Sequence, residues 1–161
     1  MPVYPILDTA WLGRHSIDVA EAVKVCLDAG VHLVQIRHKG EFDREFVKSL
    51  ETCAALGESA RIVLNDRADY AKLLGFGLHV GQEDLPVKAA RGMVGETAVV
   101  GLSTHNERQF EAALLEAVSY VALGPIFQTA SKDNADPVVG VAMVRALRPL
   151  TELPMVASHA L

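Results

Sequence analysis

The segment running from Arg61 to Asp84 reads RIVLNDRADYAKLLGFGLHVGQED. Two short apolar runs, RIVL (61–64) and GLHV (77–80), flank a helix-sized stretch, ADYAKLLG (68–75). Each run delivers an acid just past its C-terminal end, Asp66 and Asp84. Parallel strands need a crossover, usually a helix, so strand–helix–strand spells a βα unit. In barrels built from such units the chemistry collects at the strand C-termini. Both acids therefore stand where an active site belongs, on consecutive βα loops.

The same alternation extends outward in both directions. Strand-like runs recur at VYPIL (3–7), HLVQI (32–36), AVVGL (98–102), YVALG (120–124) and PMVA (154–157). Helix-like segments lie between them: SIDVAEAVKVCLDAG (16–30), DREFVKSLETCAALG (43–57), LPVKAARGM (85–93), NERQFEAALLEAV (106–118) and GVAMVRALRPL (140–150). Ser16, Asp43 and Asn106 stand where N-caps belong, and Gly30 and Gly57 where helices stop. Ile17, Val19, Ala20, Val23, Val25 and Cys26 are expected to share one face of the first of these helices. Short β-branched strands alternating with helices predict an α/β fold with a parallel sheet. No glycine fingerprint follows the first strand, so a dinucleotide-binding sheet has no support. Seven βα strands resemble an eight-fold βα-barrel, a TIM (β/α)8-type fold, that lacks its last βα unit. No linker divides the chain, so residues 1–161 are expected to form a single barrel domain, truncated after the seventh strand.

Composition excludes several classes. Lys plus Arg is 15 against 20 for Asp plus Glu, a net charge of −5, with no basic block to meet a nucleic acid. No apolar run approaches the roughly 18 residues of a membrane span. The start, MPVYPILDTAW, lacks the basic and apolar regions of a signal peptide, which predicts a cytoplasmic protein. Cys26 and Cys53 sit in helical segments without metal-site spacing and are expected to be buried free thiols.

Polar residues gather after the strands. The second run ends in QIRHK, so Gln35, Arg37 and Lys39 share one side of an extended chain. Asn65 and Asp66 follow the third run, and Gln82, Glu83 and Asp84 the fourth. Ser103, Thr104 and His105 follow the fifth, and Thr129, Ser131 and Lys132 the sixth. Clustered cations suit a polyanion such as pyrophosphate. Mg²⁺ is commonly held by one or two carboxylates together with phosphate oxygens. The inventory thus describes a Mg²⁺–diphosphate site. Each residue alone has a plainer reading: Asp66 and Asp84 as helix caps, Arg37 and Lys39 as a solvated strand end, His79 as a hydrogen-bonded core histidine. Their coincidence at strand C-termini favours the site.

These segments resemble the thiamine phosphate synthase family. The likeness rests on VQIRHK (34–39), LNDRADYAKLLGFGLHVGQEDLP (64–86), GLSTH (101–105), YVALGPIFQTASK (120–132) and the Gly140–Val141 pair, in order from about residue 4 to residue 157. The resemblance implies a transferase of thiamine biosynthesis that joins an aminopyrimidine diphosphate to a thiazole phosphate. Pyrophosphate leaves, a pyrimidinyl-methyl cation forms, and the thiazole nitrogen attacks it. By the same likeness Asp66 and Asp84 hold Mg²⁺. Gln35, Arg37, Lys39, Asn65, Ser103 and Lys132 contact the pyrimidine diphosphate, with Arg37, Lys39, Ser103 and Lys132 carrying the catalysis. Thr129, Ala130, Ser131 and Gly140 complete the substrate set, the first three on the thiazole phosphate.

The chain departs from the family after its seventh strand. Relatives continue with a glycine loop, AIGG, and an eighth unit, whereas this chain reads PMVASHAL, with Ser158 and His159 in the glycine positions. An open barrel exposes two strand edges, which association of copies into a homo-oligomer would cover. Two other readings stand beside the synthase. One is the related thiazole tautomerase, an isomerase on the same barrel that lacks the two acids. His105, an acid/base in tautomerases, is also carried by synthases and does not separate them. The other is a non-catalytic remnant that binds phosphorylated ligands.

Overall fold

The computed structural model describes residues 3–127 and 137–158. Among them, seven strands lie in sequential order in one sheet, β1 (Ile6–Asp8), β2 (Val34–Arg37), β3 (Ile62–Asn65), β4 (Gly77–Val80), β5 (Val100–Thr104), β6 (Tyr120–Leu123) and β7 (Met155–Ala157). The helices are α1 (Thr9–Arg14), α2 (Val19–Asp28), α3 (Arg44–Ala54), α4 (Ala68–Leu74), α5 (Val87–Val94), α6 (Glu107–Ala113) and α7 (Gly140–Leu147). Consecutive parallel strands joined by helices are the βα repeat expected from the sequence.

Contacts divide the chain into two compact units. The first is Met1–His79 with Gly92–Val99, and the second is Val80–Arg91 with Val100–Leu161. In the first, β1 pairs with β2, β2 with β3 and β3 with β4, all parallel, setting Asp8 opposite Arg37 and Asn65 opposite His79. Ile36, Ile62, Val63, Leu64 and Leu78 are fully buried on these strands, and Val23, Leu50 and Cys53 are buried on the helices. In the second unit β5 pairs with β6 and β6 with β7, again parallel. Val100, Val121, Leu123, Phe110 and Leu147 form its interior. Successive residues within one strand are buried on both faces, as a helix-covered parallel sheet requires.

Capping explains most helix starts. Asp43 Oδ1 accepts from Phe46 N at 2.8 Å, and Asn106 Oδ1 from Gln109 N at 2.9 Å. The α2 cap is Asp18 and not Ser16: Asp18 Oδ1 accepts from Glu21 N at 2.9 Å. Ser16 stands in the turn before it, at φ 55°. The buried face of α2 is Ala20, Val23 and Leu27, while Val25 is 62% exposed and Ile17 is exposed too. A spacing of three and four residues selects this set, and Val25 falls outside it. Gly30 takes φ 80° just past the α2 cap, where a side chain would be strained.

Helix α1 was not foreseen from the sequence. It starts directly from β1 because Asp8 Oδ1 caps it, accepting from Trp11 N at 3.0 Å. Both cysteines are free thiols, with Cys53 buried and Cys26 only half-buried. Burial pushes the Cys53 thiol up to about 12, a thiol that stays protonated and unreactive.

Candidate active site

The residues picked out by the sequence fall in both units, and each set lies at strand C-termini. In the first unit, Gln35 on β2 is buried, and its Nε2 donates to Asn65 Oδ1 on β3 at 3.5 Å. Arg37 closes β2 and pairs with Asp8 at the end of β1. Lys39, in the β2–α3 loop, places Nζ 2.5 Å from Asp66 Oδ2. Lys39 is more than half exposed and Asp66 is largely covered.

The backbone at Asp66 is left-handed, φ 65°, one of two such non-glycine residues among those described. Its N–H donates to the His79 carbonyl at 2.9 Å, and its carbonyl accepts from Ala68 N at 3.2 Å. Asp66 does not cap α4; Arg67 holds the cap position and makes no side-chain cap bond. The turn lifts the Asp66 carboxylate off the helix terminus and toward Lys39. Strained residues of this kind persist where surrounding structure over-determines them, most often at functional sites.

Asp8, which the sequence reading passed over, also stands at a strand C-terminus beside Arg37. One carboxylate oxygen caps α1 and the other meets Arg37. Burial alone would raise its pKa, but the Trp11 N–H, then Arg37, outweigh it and hold the carboxyl below its ordinary value. The rule that found Asp66 and Asp84, an acid at a strand C-terminus, also finds Asp8 when applied to the first strand.

In the second unit, Asp84 Oδ2 accepts from Gly81 N at 2.7 Å, which folds the β4–α5 loop back on itself. Gln82 Nε2 donates to the Ser103 carbonyl at 2.6 Å. Buried Thr104 donates to the Ala122 carbonyl at 2.9 Å and so fixes the end of β5. His105 Nδ1 lies 2.7 Å from the Gly124 carbonyl; a carbonyl only accepts, so Nδ1 carries the proton. Gly140 begins α7 at φ 71°. Ser158 N donates to the Leu123 carbonyl at 2.8 Å, and the Ser158 carbonyl accepts from Ile126 N at 3.0 Å. Thr129, Ala130, Ser131, Lys132 and His159 lie outside the described residues.

Among the described residues no buried side-chain nitrogen or oxygen lacks a hydrogen-bond partner. Arg37 and Lys39 pair with Asp8 and Asp66 as they stand, so an anion would be received there by exchange of partners. No group of three or more His, Cys, Asp and Glu side chains gathers there to hold a metal. Mg²⁺ on a diphosphate takes one or two protein carboxylates and fills its other positions with phosphate oxygens and water, and Asp66 and Asp84 are donors of that type. The donors are carboxylates, hard ligands for a hard ion.

Fold and residues together define a βα-barrel-type protein with polar residues and ion pairs gathered at and just beyond its strand C-termini. Residues 3–158 match the family model described as thiamine monophosphate synthase, and the chain belongs to that family. It is 43% identical to the thiamine-phosphate synthase of Koribacter versatilis over 159 residues, covering 96% of this chain and 75% of the relative. It is 35% identical to the enzyme of that name from Caldicellulosiruptor saccharolyticus over 151 residues, covering 90% of this chain and 66% of the relative. Its fold is that of a solved thiamine phosphate pyrophosphorylase from Pyrococcus furiosus, at a TM-score of 0.81 and 24% identity, over 99% of this chain and 75% of the other. The chain thus spans about two thirds to three quarters of the length of these proteins.

Proposed function

We propose that this chain is a thiamine phosphate synthase, acting as one βα-barrel domain in the cytoplasm. It condenses the aminopyrimidine diphosphate with the thiazole phosphate, giving thiamine phosphate and pyrophosphate. The observation that carries the reading is the Lys39–Asp66 ion pair, which sets a cation for a diphosphate beside an acid for its metal at the ends of neighbouring strands. Family membership over residues 3–158 supports it. The presence of Asp66, Asp84, Arg37 and Lys39 favours it over the tautomerase, which has no diphosphate to release.

In this mechanism the bond between the pyrimidinyl methylene carbon and the diphosphate oxygen breaks, and its electron pair leaves with pyrophosphate. The thiazole nitrogen then donates its lone pair to that carbon, so the positive charge passes to the thiazolium and no proton is transferred. The protein's task is to stabilise charge growing on the leaving group. Arg37 and Lys39 do so by exchanging Asp8 and Asp66 for diphosphate oxygens; Ser103 and Lys132 serve the same substrate. Gln35 and Asn65 orient the pyrimidine. Thr129, Ala130, Ser131 and Gly140 serve the thiazole phosphate end. Asp66 and Asp84 are the residues to hold Mg²⁺, which when bound neutralises the leaving diphosphate as a Lewis acid.

The test is turnover by the purified chain with both precursors and Mg²⁺, measuring thiamine phosphate and pyrophosphate together. Equal amounts of the two are expected, with none when Mg²⁺ is chelated. A chain that binds Mg²⁺–pyrophosphate without forming product would be the remnant, and the synthase reading would fall.

A further inference from the structure

Arg67 directly follows Asp66, and three neighbours, Phe42, Tyr70 and Asp69, hold its guanidinium. Its central carbon lies 4.1 Å from the centroid of the Phe42 ring and 4.4 Å from that of Tyr70. Nε and Nη2 donate to the two oxygens of Asp69 at 2.9 and 2.6 Å. The Phe42 and Tyr70 rings stack with centroids 4.9 Å apart at 27°. Phe42 belongs to the β2–α3 loop that carries Lys39, while Arg67 and Tyr70 belong to the loop and helix that follow Asp66. A cation seated against two stacked aromatic rings, with a fork-to-fork acid fixing its plane, therefore ties one loop to the other.

The β2–α3 side of this tie is itself fixed. Phe42 meets Phe46 edge-on at 5.1 Å, and Phe46 stacks on His38 at 3.7 Å. His38, between Arg37 and Lys39 in the chain, places Nδ1 2.6 Å from Thr9 Oγ1 and Nε2 3.0 Å from the Glu41 carbonyl. The carbonyl only accepts, so Nε2 carries a proton.

A purely structural stack would serve to seat α4. The position of this one suggests more. Lys39 and Asp66 pair with each other as they stand, and a diphosphate must break that pair to bind both a cation and a metal-holding acid. Once it breaks, the Phe42 contacts with Arg67 and Tyr70 still join the two loops.

We propose that Arg67 and Phe42 are positioning residues that keep the Lys39 and Asp66 loops in register when their ion pair opens to the diphosphate. The inference rests on the synthase reading for its ligand, and its loop-clamping part stands on geometry alone. Phe42, Arg67 and Tyr70 are half-buried and outside the fully buried core, so changing them leaves the interior filled.

The experiment compares Phe42→Leu, Phe42→Trp and Arg67→Lys with the parent chain. Leu removes the π face, Trp restores it, and Lys keeps the charge without the planar fork. Amide hydrogen exchange at Asp66, whose N–H is bonded to the His79 carbonyl, reads the clamp without any ligand. Exchange about twofold to fivefold faster is expected in Phe42→Leu, the span of one partly exposed cation–π contact, and faster exchange also in Arg67→Lys, which loses the fork to Asp69, with Phe42→Trp near the parent. The KM for the pyrimidine diphosphate should rise by a similar factor in the same two variants, with the KM for the thiazole phosphate unchanged. Unchanged exchange at Asp66 in Phe42→Leu, or no recovery in Phe42→Trp, would overturn the clamp. A parent chain that neither turns over nor binds Mg²⁺–pyrophosphate would overturn the synthase reading instead, while the exchange data would still decide the clamp.

Discussion

Asp66 combines a charge with a left-handed backbone, and the two can be separated by mutation. Consider Asp66→Asn, Asp66→Gly and Asp66→Ala, each measured for stability and turnover. At φ 65° an alanine Cβ crowds the following carbonyl, at a cost of about 1–2 kcal/mol. Glycine avoids that strain but is freer in the unfolded chain, which offsets about 0.4–1 kcal/mol of the advantage. Asparagine tolerates this region nearly as well as aspartate. The lost ion pair contributes little, since its lysine is more than half exposed, about 0–1 kcal/mol in every variant alike. Ala should therefore be the least stable of the three, by about 0.5–1 kcal/mol against Gly, with Asn closest to the parent. For a chain of this size that gap is about 1–4 °C in Tm. All three should lose Mg²⁺-dependent turnover, because none keeps a carboxylate. Denaturant titrations check the order of stability. An alanine variant as stable as the glycine one would refute the strain argument, and turnover retained in Asn would refute the metal role.

Three further outcomes are expected. Asp84→Asn should abolish Mg²⁺-dependent turnover by at least about a hundredfold, the scale of losing one preorganised charged contact. It should cost little stability, because an amide oxygen still accepts from Gly81 N; a kcat within a factor of a few of the parent would count against the assignment. Asp8 gives a pH dependence with a definite sign. Its folded pKa lies below the ordinary carboxylate value of 3.8, so its contribution is fully present above that value and fades as pH falls through the depressed one. Asp8→Asn should flatten the acid limb of a stability–pH profile below about pH 4, and an unaltered limb would dismiss the effect. Gly101→Ala should destabilise by about 1–3 kcal/mol, since the buried Tyr120 ring covers the space where a Cβ would stand. A chemical melt reads it, and an unchanged midpoint would show that Tyr120 moves aside freely.

The fold was legible because its signal repeats. Apolar β-branched runs such as IVL at 62–64 and YVAL at 120–123 are buried on both faces, and a run buried on both faces has few other readings. Helix starts were legible where one side chain decides them, as at Asp43 and Asn106. They were misread where two candidates compete. Ser16 and Asp18 are equally good caps on paper, and only the preceding helix, α1, fixes the turn that hands the role to Asp18. Helix α1 escaped because six residues carry too little periodicity to register.

The site divides along the same line. Residue type and place along the chain pointed to Gln35, Arg37, Lys39, Asn65 and Asp66; the structure places Gln35 within β2, Arg37 and Asn65 at the last residues of β2 and β3, and Lys39 and Asp66 in the loops that follow. What the sequence could not carry is which charge faces which. Arg37 meets Asp8, an acid far away in the chain, and Lys39 meets Asp66 only because Asp66 turns left-handed. Partner choice depends on strand register and on one backbone angle, and neither leaves a periodic trace. The same holds for Arg67 and Phe42, unremarkable as letters, whose contact exists because two loops end side by side. Sequence thus indicates the chemistry available at the strand ends, and register decides how its charges are balanced before any substrate arrives. On the synthase reading proposed above, the diphosphate is the charge that would draw Arg37 and Lys39 away from Asp8 and Asp66.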